Sequence, residues 1–115
     1  QETANTNRLI DLMQMDDEGF RIRFKGSPIK RIKRKRFLRN VAVALGNSEN
    51  SEAAPVLEQA LKDIEPLIRS HAVWALGEIL GQGALPLLEE HLSQETDGWV
   101  LDEIHRLKKQ YSPIL

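Results

Sequence analysis

Three histidines, His71, His91 and His105, come first, because imidazole is the side chain that most readily moves a proton or holds a metal near neutral pH. None forms a His-x3-His pair with a following acid, and the chain has no cysteine to complete a mixed metal site. His71 falls in an amphipathic run, where a hydrogen-bonded structural role is expected, and the neighbour pair Glu90-His91 occurs once. The carboxylates Glu78, Glu89, Glu90, Asp102 and Glu103 are scattered over faces expected to meet solvent, which does not make a general acid–base pair. Gly77, Gly81 and Gly83 lack the spacing of a phosphate-cradling loop, and no Ser-His-Asp or Cys-His order is available. Without cysteine there are no disulfides, thiol chemistry or thiolate-held iron–sulfur clusters, and the composition fits a reducing compartment. The expectation is a chain with no catalytic residue, metal ligand or cofactor of its own.

One segment does stand out chemically. Residues 21–39 carry ten of the sixteen basic side chains and no acid, whereas residues 1–20 hold one base and five acids, and residues 40–115 five bases and twelve acids. The net charge of −1 therefore hides a polarised molecule. Arg21, Arg23, Lys25, Lys30, Arg31, Lys33, Arg34, Lys35, Arg36 and Arg39, with Asn40, are the candidate binding residues. Ten like charges in nineteen residues repel one another, and a partner would relieve that repulsion. Phosphates of a nucleic acid suit arginine forks; an acidic neighbouring domain suits them too, and composition leaves both open. Aromatic interleaving is limited to Phe20, Phe24 and Phe37, all explicable as core, so base stacking has no support here.

The elements that must position this segment are helical. A shift of 31 residues sets Ala44-Leu45-Gly46 on Ala75-Leu76-Gly77, and Ala53, Pro55, Leu57, Glu58 and Leu61 on Ala84, Pro86, Leu88, Glu89 and Leu92. Such a period is the mark of stacked helix–turn–helix units. Gly46 and Gly77 are expected just past helix ends, and Pro55, Pro66 and Pro86 in first turns. Leu67, Ile68, Ala72, Ala75, Leu76 and Ile79 give the core stripe of one helix. Residues 98–110 read as a shorter closing unit with Trp99, Val100, Ile104 and Leu107 facing inward, and both Trp74 and Trp99 as core fillers. The first third does not repeat. A helix is expected over Thr6–Met15, then a second, N-capped by Asp16, that contains Phe20, Ile22 and Phe24 and is broken by Lys25-Gly26-Ser27-Pro28. From Ile29 to Gly46, Ile29 and Ile32 fall opposite the later stripe of Phe37, Leu38, Val41, Ala44 and Leu45, while Arg34 falls on it. A break or strong bend at 33–36 follows.

The fold class is thus all-α, an α-solenoid of HEAT-like repeats (about 37–66, 67–96 and 97–115) behind a helical N-terminal segment, 1–36, in one folded unit. No apolar run is long enough to cross a bilayer, and no signal peptide is expected at the start. The missing initiator methionine suggests a piece of a longer protein.

The run Phe20-Arg-Ile-Arg-Phe24-Lys-Gly-Ser-Pro28, then basic residues, then Arg39-Asn-Val-Ala-Val-Ala-Leu-Gly-Asn47, resembles the C-terminal part of the epoxyqueuosine reductase family. The resemblance is close from roughly residue 16 to 50, and the helical repeats beyond agree in kind. It implies a parent oxidoreductase of queuosine biosynthesis, cytoplasmic, that reduces epoxyqueuosine at the wobble position of tRNA with cobalamin and two [4Fe–4S] clusters. It further implies that the HEAT-like domain is non-catalytic and helps bind tRNA beside the catalytic and ferredoxin-like domains of the same chain. This sequence departs from the whole enzyme in having no cysteine, cobalamin-binding domain or catalytic acid. Carried over are Arg21, Arg23, Lys30, Arg31, Arg36, Arg39 and Asn40, as residues for tRNA or interdomain contact. The competing expectation is a HEAT-type protein–protein or interdomain scaffold that binds no nucleic acid.

Overall fold

Capping and breaking residues set where each helix starts. The computed structural model describes residues 2–111, which are helical with no strand among them. After α1 (Glu2–Met13), the Asp16 carboxylate accepts the amide hydrogen of Gly19 at 2.7 Å and opens α2 (Asp17–Arg23). Ser27 caps a 3-10 turn over Pro28–Ile32 by accepting from the Ile29 amide at 3.2 Å. The chain then turns at Lys33, whose φ of 72° lies in the left-handed region. That conformation, with ψ at 152°, costs an L-residue about 1–3 kcal/mol, and it separates the 3-10 turn from α3 (Arg34–Ser48). The expected break near 33–36 is therefore a single residue wide.

Two further pairs follow. A 3-10 turn over Ser51–Ala53 leads into α4 (Ala54–Ala60), and α5 (Pro66–Leu80) begins the next unit. Gly81–Ala84 forms a second such turn before α6 (Leu85–Leu92), and α7 (Gly98–Tyr111) closes the described chain. The 31-residue shift carries α3 onto α5 and α4 onto α6 to within a residue at each end. Pro55, Pro66 and Pro86 occupy first turns, where the missing amide hydrogen leaves no bond unmade.

Helices α3, α5 and α7 lie side by side with α5 in the middle; α4 packs on α5, α6 on α7, and α1 against α3 and α4. The result is 52 × 34 × 18 Å. Leu38, Leu45, Leu57, Ile68, Leu76, Leu88 and Ile104 are fully buried along the seams.

Two expectations fail here. Gly46 and Gly77 are not C-terminal caps but buried residues inside α3 and α5. A Cβ on Gly46 would stand 2.6 Å from Trp74 Cζ3 and 3.1 Å from the Ala75 Cα, and one on Gly77 would stand 2.6 Å from Leu107 Cδ2. They are small because neighbouring helices touch there. The left-handed caps fall later, at Glu49 (φ 55°) after α3, while α5 ends on Gly81 (φ 56°). Trp99 likewise does not face inward. It is 83% exposed, because the inward stripe of α7 runs through Val100, Ile104 and Leu107, and Trp99 sits one residue, about 100°, off it. Trp74 is half-buried and packs on the core as expected.

Candidate nucleic-acid interface

The basic segment is held by its aromatic residues. Phe20 is buried, Phe24 follows the end of α2, and Phe37 lies in the first turns of α3; their ring centroids are 5.0 Å (20–24), 5.7 Å (20–37) and 4.9 Å (24–37) apart at tilted angles. Such a trio adds edge-to-face attraction to its area burial and fixes α2 on α3. With Phe20 turned in, Arg21, Arg23 and Lys25 stand exposed, and Ile22 is 67% exposed among them. Lys30, Arg31 and Lys33 project from the 3-10 turn and its end, and Arg36 and Asn40 from α3; Lys35 and Arg39 are partly covered, Arg39 donating to the Asn40 side chain at 3.2 Å.

Arg34 is placed differently from the rest. Its Nε donates to the Met15 carbonyl at 2.8 Å and its two terminal nitrogens grip the Asp63 carboxylate. Among the described residues it is the one member of the basic segment in an ion pair. It braces the backbone on the C-terminal side of the Lys33 turn rather than offering charge to a ligand.

The same device recurs one unit later, and neither acid was singled out from sequence. Arg69 donates to both oxygens of Glu95 at 3.0 and 2.9 Å, and its third nitrogen reaches the Asp63 carbonyl at 2.8 Å. His91 Nε2 lies 2.7 Å from Glu95, which also accepts the amides of Thr96 and Asp97. Burial pushes the Glu95 carboxyl up, but hydrogen bonds from Arg69, His91 and the Asp97 backbone, with the Arg69 charge, outweigh it and hold the group at about 2. The Glu95 bond in turn raises the Arg69 guanidinium above its ordinary value. A polar thread from Met15 through Arg34, Asp63, Arg69 and Glu95 to His91 thus ties successive units together. Sequence signals for it existed only as isolated charges near loop ends.

On the face made by α3, α5 and α7, a groove of about 360 Å³ is lined by Val43, Ser70, His71, Trp74, Trp99 and Glu103. The His71 Nδ1 is 2.8 Å from the Leu67 carbonyl, which can only accept, so Nδ1 carries a hydrogen and donates it there. This is the hydrogen-bonded structural histidine expected from the pattern. The [4Fe–4S] clusters that the family resemblance implies for a longer enzyme do not fit this chain's residues. It has no cysteine, and among the described residues no three His, Asp or Glu side chains converge.

Comparison with known proteins agrees on one direction. A family model for HEAT repeats matches residues 33–108. The chain is 32% identical to the epoxyqueuosine reductase of Yersinia pestis over 91 residues, which are 79% of this chain and 22% of the relative. It is 42% identical to that of Xanthomonas campestris pv. campestris over 71 residues, 61% of this chain and 20% of the relative. The chain thus spans about a fifth of the length of these relatives, and the match lies on their HEAT-like domain. Among solved structures, it superposes on an epoxyqueuosine reductase crystallised with a tRNA-Tyr epoxyqueuosine-modified tRNA stem loop. There the TM-score is 0.79 and the identity 29%, over 86% of this chain and 27% of that one.

Proposed function

The chain belongs to the HEAT-repeat family, and from that premise we propose that it is the non-catalytic domain of an epoxyqueuosine reductase, helping to hold tRNA while other domains reduce epoxyqueuosine. The observation that carries this reading is the outward cluster of Arg21, Arg23, Lys25, Lys30, Arg31, Lys33 and Arg36, with Lys35, Arg39 and Asn40 beside it, fixed by the phenylalanine trio. Such a cluster suits phosphates by charge and by the arginine fork, with affinity that does not depend on sequence. A similar structure with a tRNA stem loop supports the same partner. Cobalamin, the clusters and the reduction belong, on this reading, to the rest of a cytoplasmic enzyme.

Salt titration of tRNA binding tests it. Each phosphate neutralised should contribute about −0.7 to −0.9 to the slope of log affinity against log salt. Replacing Lys33, Lys35 and Arg36 by Gln, and leaving Arg34 in place, should weaken binding and flatten the slope. Unchanged tRNA affinity at every salt concentration would end the reading. Exposed Ile22 and Ile32 within the basic segment favour a second role, contact with a neighbouring domain of the same polypeptide. In that case the triple variant loses affinity for the catalytic part supplied separately and keeps its affinity for tRNA.

A further inference from the structure

Trp99 stands on the first turn of α7, and a shallow groove runs from it along Pro66, Leu67, Ser70 and His71 of α5. An indole this exposed, continuous with an apolar groove, offers a contact surface larger than a single side chain. The acids at its rim are already engaged. The Asp97 carboxylate accepts the amides of Trp99 and Val100 at 3.0 and 3.1 Å, and Glu103 is held by Arg106 at 2.9 and 2.5 Å. Glu103 is thereby ion-paired, and the Asp97 charge is turned onto the start of α7.

The repeat supplies the other half of the site. Leu67, Ser70 and His71 of α5 correspond, one unit earlier, to Arg36, Arg39 and Asn40 of α3. Adjacent packed helices stand about 8–10 Å apart, so with α5 in the middle the arginines on α3 lie one helix spacing from α5 and about two from Trp99 on α7, at the same level along the helices. Val43, one turn beyond Arg39 on α3, lines the groove itself. Basic residues beside an open indole form the pair of features that binds single-stranded nucleic acid: charge for the backbone and a platform for a base. An apolar peptide would use the indole but gain nothing from the arginines.

We propose that Trp99 stacks an unpaired base of the bound RNA while Arg36 and Arg39 hold phosphates a few nucleotides along the same strand. His71 Nε2, on the side of the ring away from the Leu67 contact, forms a hydrogen bond with a base edge or a ribose hydroxyl. This deepens the tRNA-holding role and rests on it.

The test uses the chain, its Trp99→Ala and Trp99→Phe variants and the Arg36→Gln/Arg39→Gln variant. Each is titrated with an unmodified tRNA-Tyr anticodon stem-loop RNA and with a blunt RNA duplex. Trp99→Ala should weaken stem-loop binding by about 5- to 100-fold, leave duplex binding and the salt slope unchanged, and be largely rescued by Trp99→Phe. The arginine variant should weaken both RNAs. Equal loss for both RNAs in Trp99→Ala, or no loss for either, overturns the stacking site. In the second case the tRNA-holding role stands if the arginine variant still binds less tightly. A parent chain that binds neither RNA ends that role, and the stacking site falls with it. Loss seen only toward the catalytic part of the reductase would overturn the proposal by assigning the groove to protein contact. Because Trp99 is exposed, the melting temperature should not move; should Trp99→Ala melt early, Trp99→Phe and Trp99→His decide, stacking being kept by both.

Discussion

Arg34 and Asp63, 29 residues apart in sequence, form a two-pronged ion pair in which 11% and 13% of their respective side-chain surfaces are exposed. The most basic stretch of the chain thereby gives one arginine to the fold, at the point where the backbone leaves the strained Lys33 turn.

Separating this charge from its neighbours is a direct experiment. Arg34→Gln should destabilise by about 2–4 kcal/mol, somewhat below a fully buried pair, because Asp63 is left poorly compensated. It should leave the salt slope of RNA binding unchanged. Arg36→Gln should do the reverse. Urea midpoints and salt titrations on the two variants separate the roles, and a flattened slope with Arg34→Gln would refute the assignment.

The core seam gives a second prediction. Leu76 is fully buried in α5, and Leu76→Ala should cost about 2–5 kcal/mol. A loss below 1 kcal/mol in chemical denaturation would contradict that packing.

Helix contact at the buried glycines can be graded. Gly46→Ala meets the Trp74 ring and the α5 backbone, whereas Gly77→Ala meets only the movable end of Leu107. Overpacking costs about 1–3 kcal/mol, against about 1 kcal/mol of helix propensity recovered from glycine. Gly46→Ala should therefore be clearly destabilising and Gly77→Ala milder. Melting temperatures in the opposite order would show that the Trp74 side yields more easily than the geometry implies.

Glu95 predicts acid sensitivity. Its carboxyl, held at about 2 in the fold and 4.5 ordinarily, binds fewer protons folded than unfolded. The stability this contributes is fully present above about pH 4.5 and is lost as pH falls toward 2, on the order of 3 kcal/mol in all. Glu95→Gln should be less stable at pH 7 and lose less on acidification. Parallel pH–stability curves for the two proteins would contradict the network.

Much of this architecture could be read from residue spacing. Helix starts were legible because Asp16, Pro55, Pro66 and Pro86 act locally, and the break at Lys33 because Ile32 and Leu38 cannot share a face. Gly46 and Gly77 misled because a glycine near the end of a periodic run looks the same whether it caps a helix or admits a neighbour. Only the position of α5 and α7 decides. Trp99 misled for a related reason: beside Val100, one residue of rotation separates burial from exposure. The pairing of Arg34 with Asp63 and of Arg69 with Glu95 depends on loops meeting across units, which no local pattern encodes.

In its thinnest direction the molecule measures 18 Å, which is two helices laid side by side. In an object so thin each helix layer packs on the other along one flank and meets solvent on the opposite one. What it can offer is breadth: two wide faces and an edge, patterned once per unit and held in register by salt-bridged loops. A partner that is itself long and regular, such as a nucleic-acid backbone, can be tracked along such a plane in a way that a small molecule cannot.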